Sequence, residues 1–278
     1  MKSVRVALWI WYRGDSFRGF QSQRIGPTVQ ETIVRSLSSV GVRARPCPAG
    51  RTDKGVHARM QVLSMRLRDV SPDELLSHLS SQTSRELGIC YARRAPAGFH
   101  AQWSTSEKEY RYRLRTDPSR ACEWASCSWT LAEHPRLLGR AVDLKRLATI
   151  LRTLEGTHDF AAFHERSSPR GPRTIRGVEL VEAAHGVVEL RILGDRFARH
   201  QVRYMVGSAV AVSAGLFSAD QFVDALIAGT PINGIKAPAR GLILWEVHYP
   251  PALDPFQPIE RARPPGLPAE PPFQPVPR

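Results

Sequence analysis

The sequence predicts an α+β protein in two halves, because strand-like and helix-like patterns alternate along most of its length. Hydrophobic residues make up 42% of the 278 positions and charged residues 23%, which provides a core and excludes a disordered chain. The longest apolar run, 206–212, is much shorter than the roughly 18 to 20 residues that span a bilayer, so no membrane span is expected.

In the first half, alternating apolar residues predict strands over 4–11 and 60–68. Thr28 and Glu31 form a capping box that begins a helix, and Ser71 begins a second one with proline at its first position. The second half repeats the alternation, with strands predicted over 109–115, 187–193 and 242–249 and helices over 144–154, 199–214 and 219–228.

The second half also contains residues typical of helix ends. Asp143 caps the first helix there, and Gly156 is placed to end it. We expect an N-terminal domain over 1–103 and a C-terminal domain over 104–250, with the site in the cleft between them. Eleven of the 22 prolines lie after Tyr249, so 251–278 is predicted to be an extended or disordered tail.

The charge balance favours an anionic partner. The chain has 39 Lys and Arg residues against 26 Asp and Glu residues, a formal net charge of +13, and only five of the basic residues are lysine. Guanidinium groups suit phosphate contacts and stacking on bases, so a nucleic acid is expected. A biased genome composition would also favour arginine over lysine, but it would not explain the net charge.

The four cysteines form no C-x-x-C pair and have no histidine at zinc-finger spacing. We therefore expect reduced thiols, a cytoplasmic location and no metal site. His158, Asp159 and His164 are ligand types, but no third partner stands at metal spacing.

A loop over 49–58 concentrates the candidate chemistry. Arg51 and Lys54 flank Asp53, and cations beside a carboxylate favour the ionised form that a nucleophile or base requires. Ordinary turns use the same residue types, so these alone leave both readings open. A phosphate loop needs Lys-Ser/Thr after its second glycine, where Val-His stands here, so no nucleotide cofactor is expected.

The segment G-R-T-D-K-G-V-H-A over 50–58 resembles the catalytic loop of the TruA family of transfer-RNA pseudouridine synthases. Similar blocks follow the family's order from about residue 4 to about residue 250: Gly19-Phe20-Gln21-x-Gln23, Thr28-Val29-Gln30-Glu31, Phe99-His100-Ala101, Tyr110-Arg111-Tyr112, the helix segment 197–207 and Ala237-Pro238-x-x-Gly241-Leu242. The chain departs from the family pattern at Phe20, where tryptophan is usual, at Tyr204, where asparagine is usual, and at 13–15.

The resemblance implies two ferredoxin-like or RRM-like halves whose antiparallel sheets form a continuous pseudouridine-synthase core with the active-site cleft between them. It implies an isomerase that needs no cofactor and converts uridine to pseudouridine at positions 38–40 of the anticodon stem-loop of transfer RNA. It also implies a cytoplasmic homodimer.

Residue by residue, the resemblance makes Asp53 the catalytic carboxylate, paired with Arg203, and Tyr110 the ring that stacks on the flipped uridine. Asp53 either attacks C1′ or removes the C2′ proton, and the sequence leaves both routes open. Without the resemblance, a buried core tyrosine is the favoured interpretation of Tyr110, because aromatic residues are good strand formers, and a solvated charged flank is the alternative for Arg203. The expected substrate-binding residues are Arg51, Leu242, Lys54, His57, Gln21, Arg111, Phe197, His200 and Arg173, the last within a basic run over 166–176 that suggests a mobile phosphate-gripping loop.

The sequence also suggests three alternative functions. One is a related enzyme that modifies another RNA, and another is a catalytically weak module that binds or folds RNA. A serine hydrolase is a third, because Gly14-Asp15-Ser16 follows the first strand as a G-D-S nucleophile does. That class needs Asp-x-x-His near the C-terminus, whereas 246–248 reads Glu-Val-His, with the wrong acid and spacing.

Overall fold

A computed structural model describes residues 3–68, 71–80, 84–165, 167–182, 186–230, 232 and 234–276. The strands are β1 (Ser3–Tyr12), β2 (Cys47–Pro48), β3 (His57–Arg68), β4 (Leu87–Arg94), β5 (Glu107–Arg115), β6 (Trp129–Thr130), β7 (Gly156–His158), β8 (Arg173–Glu182), β9 (Val187–Gly194) and β10 (Leu242–His248). The helices are α1 (Val29–Ser39), α2 (Pro72–Ser80), α3 (Leu144–Arg152), α4 (Gln201–Ser213), α5 (Ala219–Ala228) and α6 (Pro258–Ala262). The α+β class is confirmed.

The chain divides into two compact units. The first unit comprises Met1–Lys108 and Ile243–Gln274, and the second comprises Glu109–Leu242 and Pro275–Arg278. The first break lies close to the boundary expected near 104. The first unit also takes β10 and most of the proline-rich segment, which local sequence patterns did not indicate.

In the first unit the strands lie in the order β4-β1-β3-β10, and β2 pairs with β3. β1 runs antiparallel to both neighbours, with Leu8 opposite Leu63 of β3 and Ala92 of β4. Residues 6–12 are all buried, so both faces of β1 are covered although the sequence alternation predicted one. β10 runs parallel to β3, starting where Ile243 pairs with His57.

Local signals in the first unit are confirmed. The Thr28 hydroxyl accepts a hydrogen bond of 3.3 Å from the backbone N–H of Glu31, and α1 begins at the next residue. The Ser71 hydroxyl accepts one of 3.1 Å from the backbone N–H of Glu74 as α2 begins. β4 was not predicted, because its apolar residues do not alternate.

The proline-rich segment 250–276 packs into the fold, unlike the extended or disordered tail that its composition predicts. Phe256 contacts Trp9 and Phe273 contacts Trp11, with ring centroids 5.7 and 5.1 Å apart. Both phenylalanines are buried. Proline restricts the backbone without preventing its neighbours from packing, and the aromatic side chains between the prolines supply the buried area.

In the second unit the strands lie in the order β5-β9-β8-β7, and β6 pairs with β5. α3 buries Leu147, Ile150 and Leu151 along one face, whereas α4 is buried around nearly its whole circumference. Within the described parts of the chain, no helix is long and apolar enough to cross a bilayer.

Two expectations for the second unit are wrong. α3 does not continue to a C-terminal glycine; it ends at Arg152, and Gly156, with φ 107°, is the first residue of β7. A positive φ suits glycine at either kind of position, so the residue type alone does not distinguish them. The basic run is also not a loop throughout, because Arg173 and Arg176 lie in β8, while Arg166 falls outside the described residues.

Candidate active site

The loop over 49–57 in the first unit is clamped against the segment that follows β1. A β-carbon on Gly14 would collide with the loop backbone, at 2.6 Å from the nitrogen of Val56. A β-carbon on Gly19 would make a tight contact, at 3.0 Å from the carbonyl oxygen of Thr52. Gly19 also has φ 100°, which favours glycine. The path of the loop on both sides of the candidate carboxylate is therefore set by two close backbone contacts.

Hydrogen bonds also hold the loop against the segment that follows β1. The backbone N–H of Gly55 donates to the carbonyl of Gly14 at 3.1 Å, and the backbone N–H of Gly14 donates to Nδ1 of His57 at 3.0 Å. Because Nδ1 accepts, the neutral ring carries its proton on Nε2. His57 is buried, so its contribution in this structure is to hold the loop.

A chain of buried hydrogen bonds that runs through Gln61, Tyr12 and Thr52 supports the loop. Gln61 donates its amide to the carbonyl of Gly50 at 2.6 Å and to the hydroxyl of Tyr12 at 3.4 Å. Burial raises the pKa of Tyr12 to about 12, and the hydroxyls of Tyr12 and Thr52 share a hydrogen bond of 2.8 Å. Thr52 immediately precedes Asp53, so the chain fixes the residue beside the carboxylate.

The predicted site residues of this unit differ in exposure. Asp53 is half-buried, whereas Arg51, Lys54 and Gln21 are exposed. An anionic group held on a rigid backbone with exposed cations beside it suits chemistry on a ligand that carries phosphates.

In the second unit, Tyr110 of β5 is buried, and its ring meets the edge of Phe197 with centroids 5.0 Å apart and planes at 78°. Such an edge-to-face contact fixes the orientation of both rings. Two predicted site residues are thus in contact, although they are far apart in the sequence.

A second contact network surrounds the start of β10. The hydroxyl of Tyr112 donates to the carbonyl of Pro238 at 2.8 Å, and a β-carbon on Gly241 would lie 2.8 Å from the Tyr112 ring. Arg203 of α4 donates its Nε to the carbonyl of Ala237 at 2.7 Å, and the backbone N–H of Ala237 donates back to the Arg203 carbonyl at 3.1 Å. The half-buried guanidinium of Arg203 is therefore oriented, and the adjacent Leu242 is buried.

Glu165 gathers three side chains at the start of α4. Its Oε1 lies 2.8 Å from Nδ1 of His200, 3.3 Å from the hydroxyl of Tyr204 and 3.5 Å from Nζ of Lys236. The hydrogen bond with His200 is the main reason that the pKa of Glu165 lies below its ordinary value. Tyr204, where the family usually has asparagine, thus has a defined partner in this chain.

Two of the predicted substrate-binding arginines have intramolecular acceptors. Arg111 is bonded to Glu109 at 2.7 Å and to Glu189 at 3.1 Å, and its side chain is only 11% exposed. Arg173 is buried and donates to the carbonyls of Asp159, Gly171 and Pro169. These contacts join separate segments of the second unit.

Sequence reasoning missed two residues that shape the site. Gly14 was considered only as part of a hydrolase motif, and Glu165 was not singled out. For Gly14 the signal was a glycine two residues after the end of a strand, where close backbone approach is common. Glu165 carried no local signal, because its partners lie 35, 39 and 71 residues away.

Comparison with known proteins identifies the family. A tRNA pseudouridine synthase A of Chlorobium chlorochromatii is 34% identical over 256 residues, covering 90% of this chain and all of that protein. A protein of the same name from Pseudomonas aeruginosa is 34% identical over 88% of this chain and 86% of its own length. The chain belongs to the tRNA pseudouridine synthase A family. The family model described as tRNA pseudouridine synthase matches residues 150–250, which include α4 and β10.

A further relative of the same name, from Geobacillus kaustophilus, is 33% identical over 88% of this chain and 94% of its own length. Among solved structures, a chain of a Cbf5-Nop10-Gar1 complex matches with a TM-score of 0.36 and 12% identity, over 74% of this chain and 44% of that one. That likeness is too distant to add to the family assignment.

Proposed function

We propose that this protein is a transfer-RNA pseudouridine synthase that isomerises uridine to pseudouridine in the anticodon stem-loop, at positions 38–40. The observation that carries the proposal is the Asp53 carboxylate, half-buried on a loop clamped by Gly14 and Gly19, in a chain of the tRNA pseudouridine synthase A family. A rigid carboxylate suits this reaction because the group must meet one sugar carbon in one geometry.

The reaction needs no net oxidation or reduction. The N1–C1′ bond breaks, the base turns, a C5–C1′ bond forms, the proton on C5 leaves and N1 gains a proton. Asp53 takes part either as a nucleophile that forms a bond to C1′ while the base departs, or as a base that removes the C2′ proton. Both routes start from an ionised carboxylate.

The remaining roles are proposed on the same basis. Tyr110 stacks on the flipped uridine, and the fixed edge contact with Phe197 supports that role because an oriented ring costs less entropy to use. Arg203 pairs with Asp53, supported by the hydrogen bond that orients its guanidinium. Arg51 displaces and holds the RNA backbone, and Leu242 lies beneath the base.

The other predicted residues divide by exposure. Lys54 and Gln21 are exposed, which supports direct contact with RNA. We assign His57, Arg111 and Arg173 to holding the site together, because each is buried and its described contacts are within its own unit. His200, bonded to Glu165, positions the start of α4.

We further infer a cytoplasmic homodimer. The four cysteines are free thiols, which supports a reducing compartment. The dimer rests on the family resemblance, and a mass measurement by light scattering tests it.

The direct test is tritium release from transfer RNA that carries 5-³H-uridine. We expect release by the wild type, and a loss of at least about 10³-fold for Asp53→Asn, because the amide is neither a nucleophile nor a base of the same strength. Asp15→Asn is the matched control: the same chemical change at an exposed carboxylate of the neighbouring segment should leave the rate within about twofold.

Each outcome decides between functions. If both wild type and Asp53→Asn bind transfer RNA without releasing tritium, the protein is an RNA-binding module. Where release occurs, mapping pseudouridine in the anticodon stem-loop separates positions 38–40 from another RNA target. Full activity of Ser16→Ala would remove the hydrolase reading.

A further inference from the structure

A cavity of about 250 Å³ opens beside the candidate active-site loop, within the first unit. That volume holds far more than one water, whose share of the liquid is roughly 30 Å³. Its lining residues are Phe20, Gln21, Gln30, Arg45, Pro46, Cys47, Pro48 and Arg51. Two of them, Gln21 and Arg51, are exposed residues already proposed to contact RNA, but the cavity itself plays no part in the isomerisation described above.

One wall carries a buried amide with hydrogen-bonding capacity to spare. Gln30 is 8% exposed, its Nε2 donates to the carbonyl of Pro46 at 3.3 Å, and its Oε1 accepts from the backbone N–H of Ser22 at 3.2 Å. A primary amide has two N–H groups and two lone pairs. Within the described part of the chain these bonds use one of each, which leaves a second N–H and a second lone pair for a ligand.

The rest of the lining is apolar or cationic. Phe20, Pro46 and Pro48 supply ring surfaces, and the exposed Arg45 and Arg51 supply two positive charges. A flat group with a polar edge and an attached phosphate matches each of these features, since its face meets the rings, its edge meets an amide and its phosphate meets guanidinium groups.

We propose that this cavity is a subsite for the base of a second nucleotide of the RNA, next to the uridine that is modified. The location follows from the covalent chain: Arg51 belongs to the cavity and stands two residues before Asp53, so the two backbone positions are at most about 7.6 Å apart. The amide edge of Gln30 recognises a base that offers an adjacent donor and acceptor, as adenine does at N6 and N7. The proposal rests on the proposed function and names a specificity element for it.

Cys47 provides the test, because it lines the cavity and is half-buried. Burial raises the pKa of its thiol, so alkylation with N-ethylmaleimide is best followed near pH 9. Saturating transfer-RNA transcript should slow alkylation of Cys47 at least about tenfold. Cys122, half-buried in the second unit, is the internal reference and should react at the same rate with and without RNA.

A cavity-filling variant tests the consequence for catalysis. Cys47→Trp should raise KM for transfer RNA about tenfold with little change in kcat, because the subsite contributes binding that is equal in ground and transition states. Cys47→Ser keeps the side-chain volume, so KM for transfer RNA should rise much less than in Cys47→Trp. Arg45→Gln, a change at an exposed residue, should raise KM several-fold without a risk to folding.

Abasic RNA identifies the occupant. Removing the base of the nucleotide that enters the cavity should raise KM for the wild type about tenfold and produce no further rise with Cys47→Trp, because both changes remove the same contact. If the rise in KM from base removal and the rise from Cys47→Trp multiply at every position flanking the target uridine, the proposal is wrong. It is also wrong if RNA does not slow the alkylation of Cys47.

Different results would contradict the proposed subsite and the proposed isomerase activity. If transfer RNA protects Cys47 but the wild type releases no tritium, the subsite stands and the proposed reaction falls. If tritium is released while Cys47 stays unprotected, the reaction stands and the subsite is wrong.

Discussion

At the scale of single residues, arginine has two roles in this chain. Arg51 is exposed beside the candidate carboxylate, whereas Arg113 is fully buried and lies over the Trp124 ring at 4.3 Å. Glu189 organises the buried set: its two oxygens lie 3.1 Å from nitrogens of Arg111, Arg113 and Arg191. A high arginine content therefore does not translate directly into phosphate-binding surface.

The charge on Glu189 should be essential for stability. Glu189→Gln removes the carboxylate that bonds the fully buried Arg113, so we expect a loss of about 3 kcal/mol in the free energy of unfolding by urea at pH 7. Glu179→Gln is the matched control, because its carboxylate also bonds Arg191, at 3.1 Å, but is 53% exposed, and we expect a loss below about 0.5 kcal/mol. Equal losses in both variants would contradict the interpretation of Glu189 as the hub.

At the scale of elements, the proline-rich segment stabilises the first unit. Glu260 of α6 bonds Arg93 of β4 at 2.5 Å, and Arg261 bonds Glu246 of β10 at 2.8 Å and Asp254 at 2.6 Å. Together with the two buried phenylalanines, these contacts cover strands whose apolar residues would otherwise face water.

Removing one aromatic anchor tests this stabilisation. Phe273→Ala should lower the free energy of unfolding by about 3 kcal/mol, because it leaves a cavity against Trp11. Ile259→Ala, in the same segment but with its side chain 77% exposed, should change it by less than about 0.5 kcal/mol. A passive tail would give the same small effect at both positions, measured by urea unfolding with tryptophan fluorescence.

At the scale of the whole molecule, the two compact units are not consecutive stretches of the chain. The first unit is assembled from both ends of the chain, with 243–274 added to the first 108 residues. Arg59 of β3 shows how the N-terminal part of this unit contacts its C-terminal part. It donates to the carbonyl of Arg261 at 2.9 Å, and its guanidinium lies 4.9 Å from the Trp245 ring.

A fragment experiment follows from that composition. Residues 1–108 alone should not fold, because β10 and the aromatic residues that cover β1 are missing. The same residues joined to 243–274 by a flexible linker of about 20 residues should give dispersed amide signals in NMR spectra and resist proteolysis. A folded 1–108 fragment would show that the C-terminal segment is dispensable for this unit.

The candidate site was predictable in part. The resemblance pointed to Asp53, Tyr110 and Arg203, and the structure adds why the loop that carries Asp53 is rigid. The buried contacts of Arg111 and His57 were not predictable, because strand alternation shows which residues share a face but not what lies opposite that face. The cavity beside Arg51 depends likewise on residues from several separate segments.

The sequence by itself determined the local structure. The starts of α1, α2 and α3 followed from Thr28, Ser71 and Asp143, because a helix cap bonds backbone only two or three residues away. The family motifs are likewise short and continuous. Only the tertiary structure decided which arginines are buried, that the proline-rich segment packs, and that β10 joins the first unit. These outcomes depend on partners as many as 262 residues away, as with Trp11 and Phe273, and no short pattern encodes such a partner.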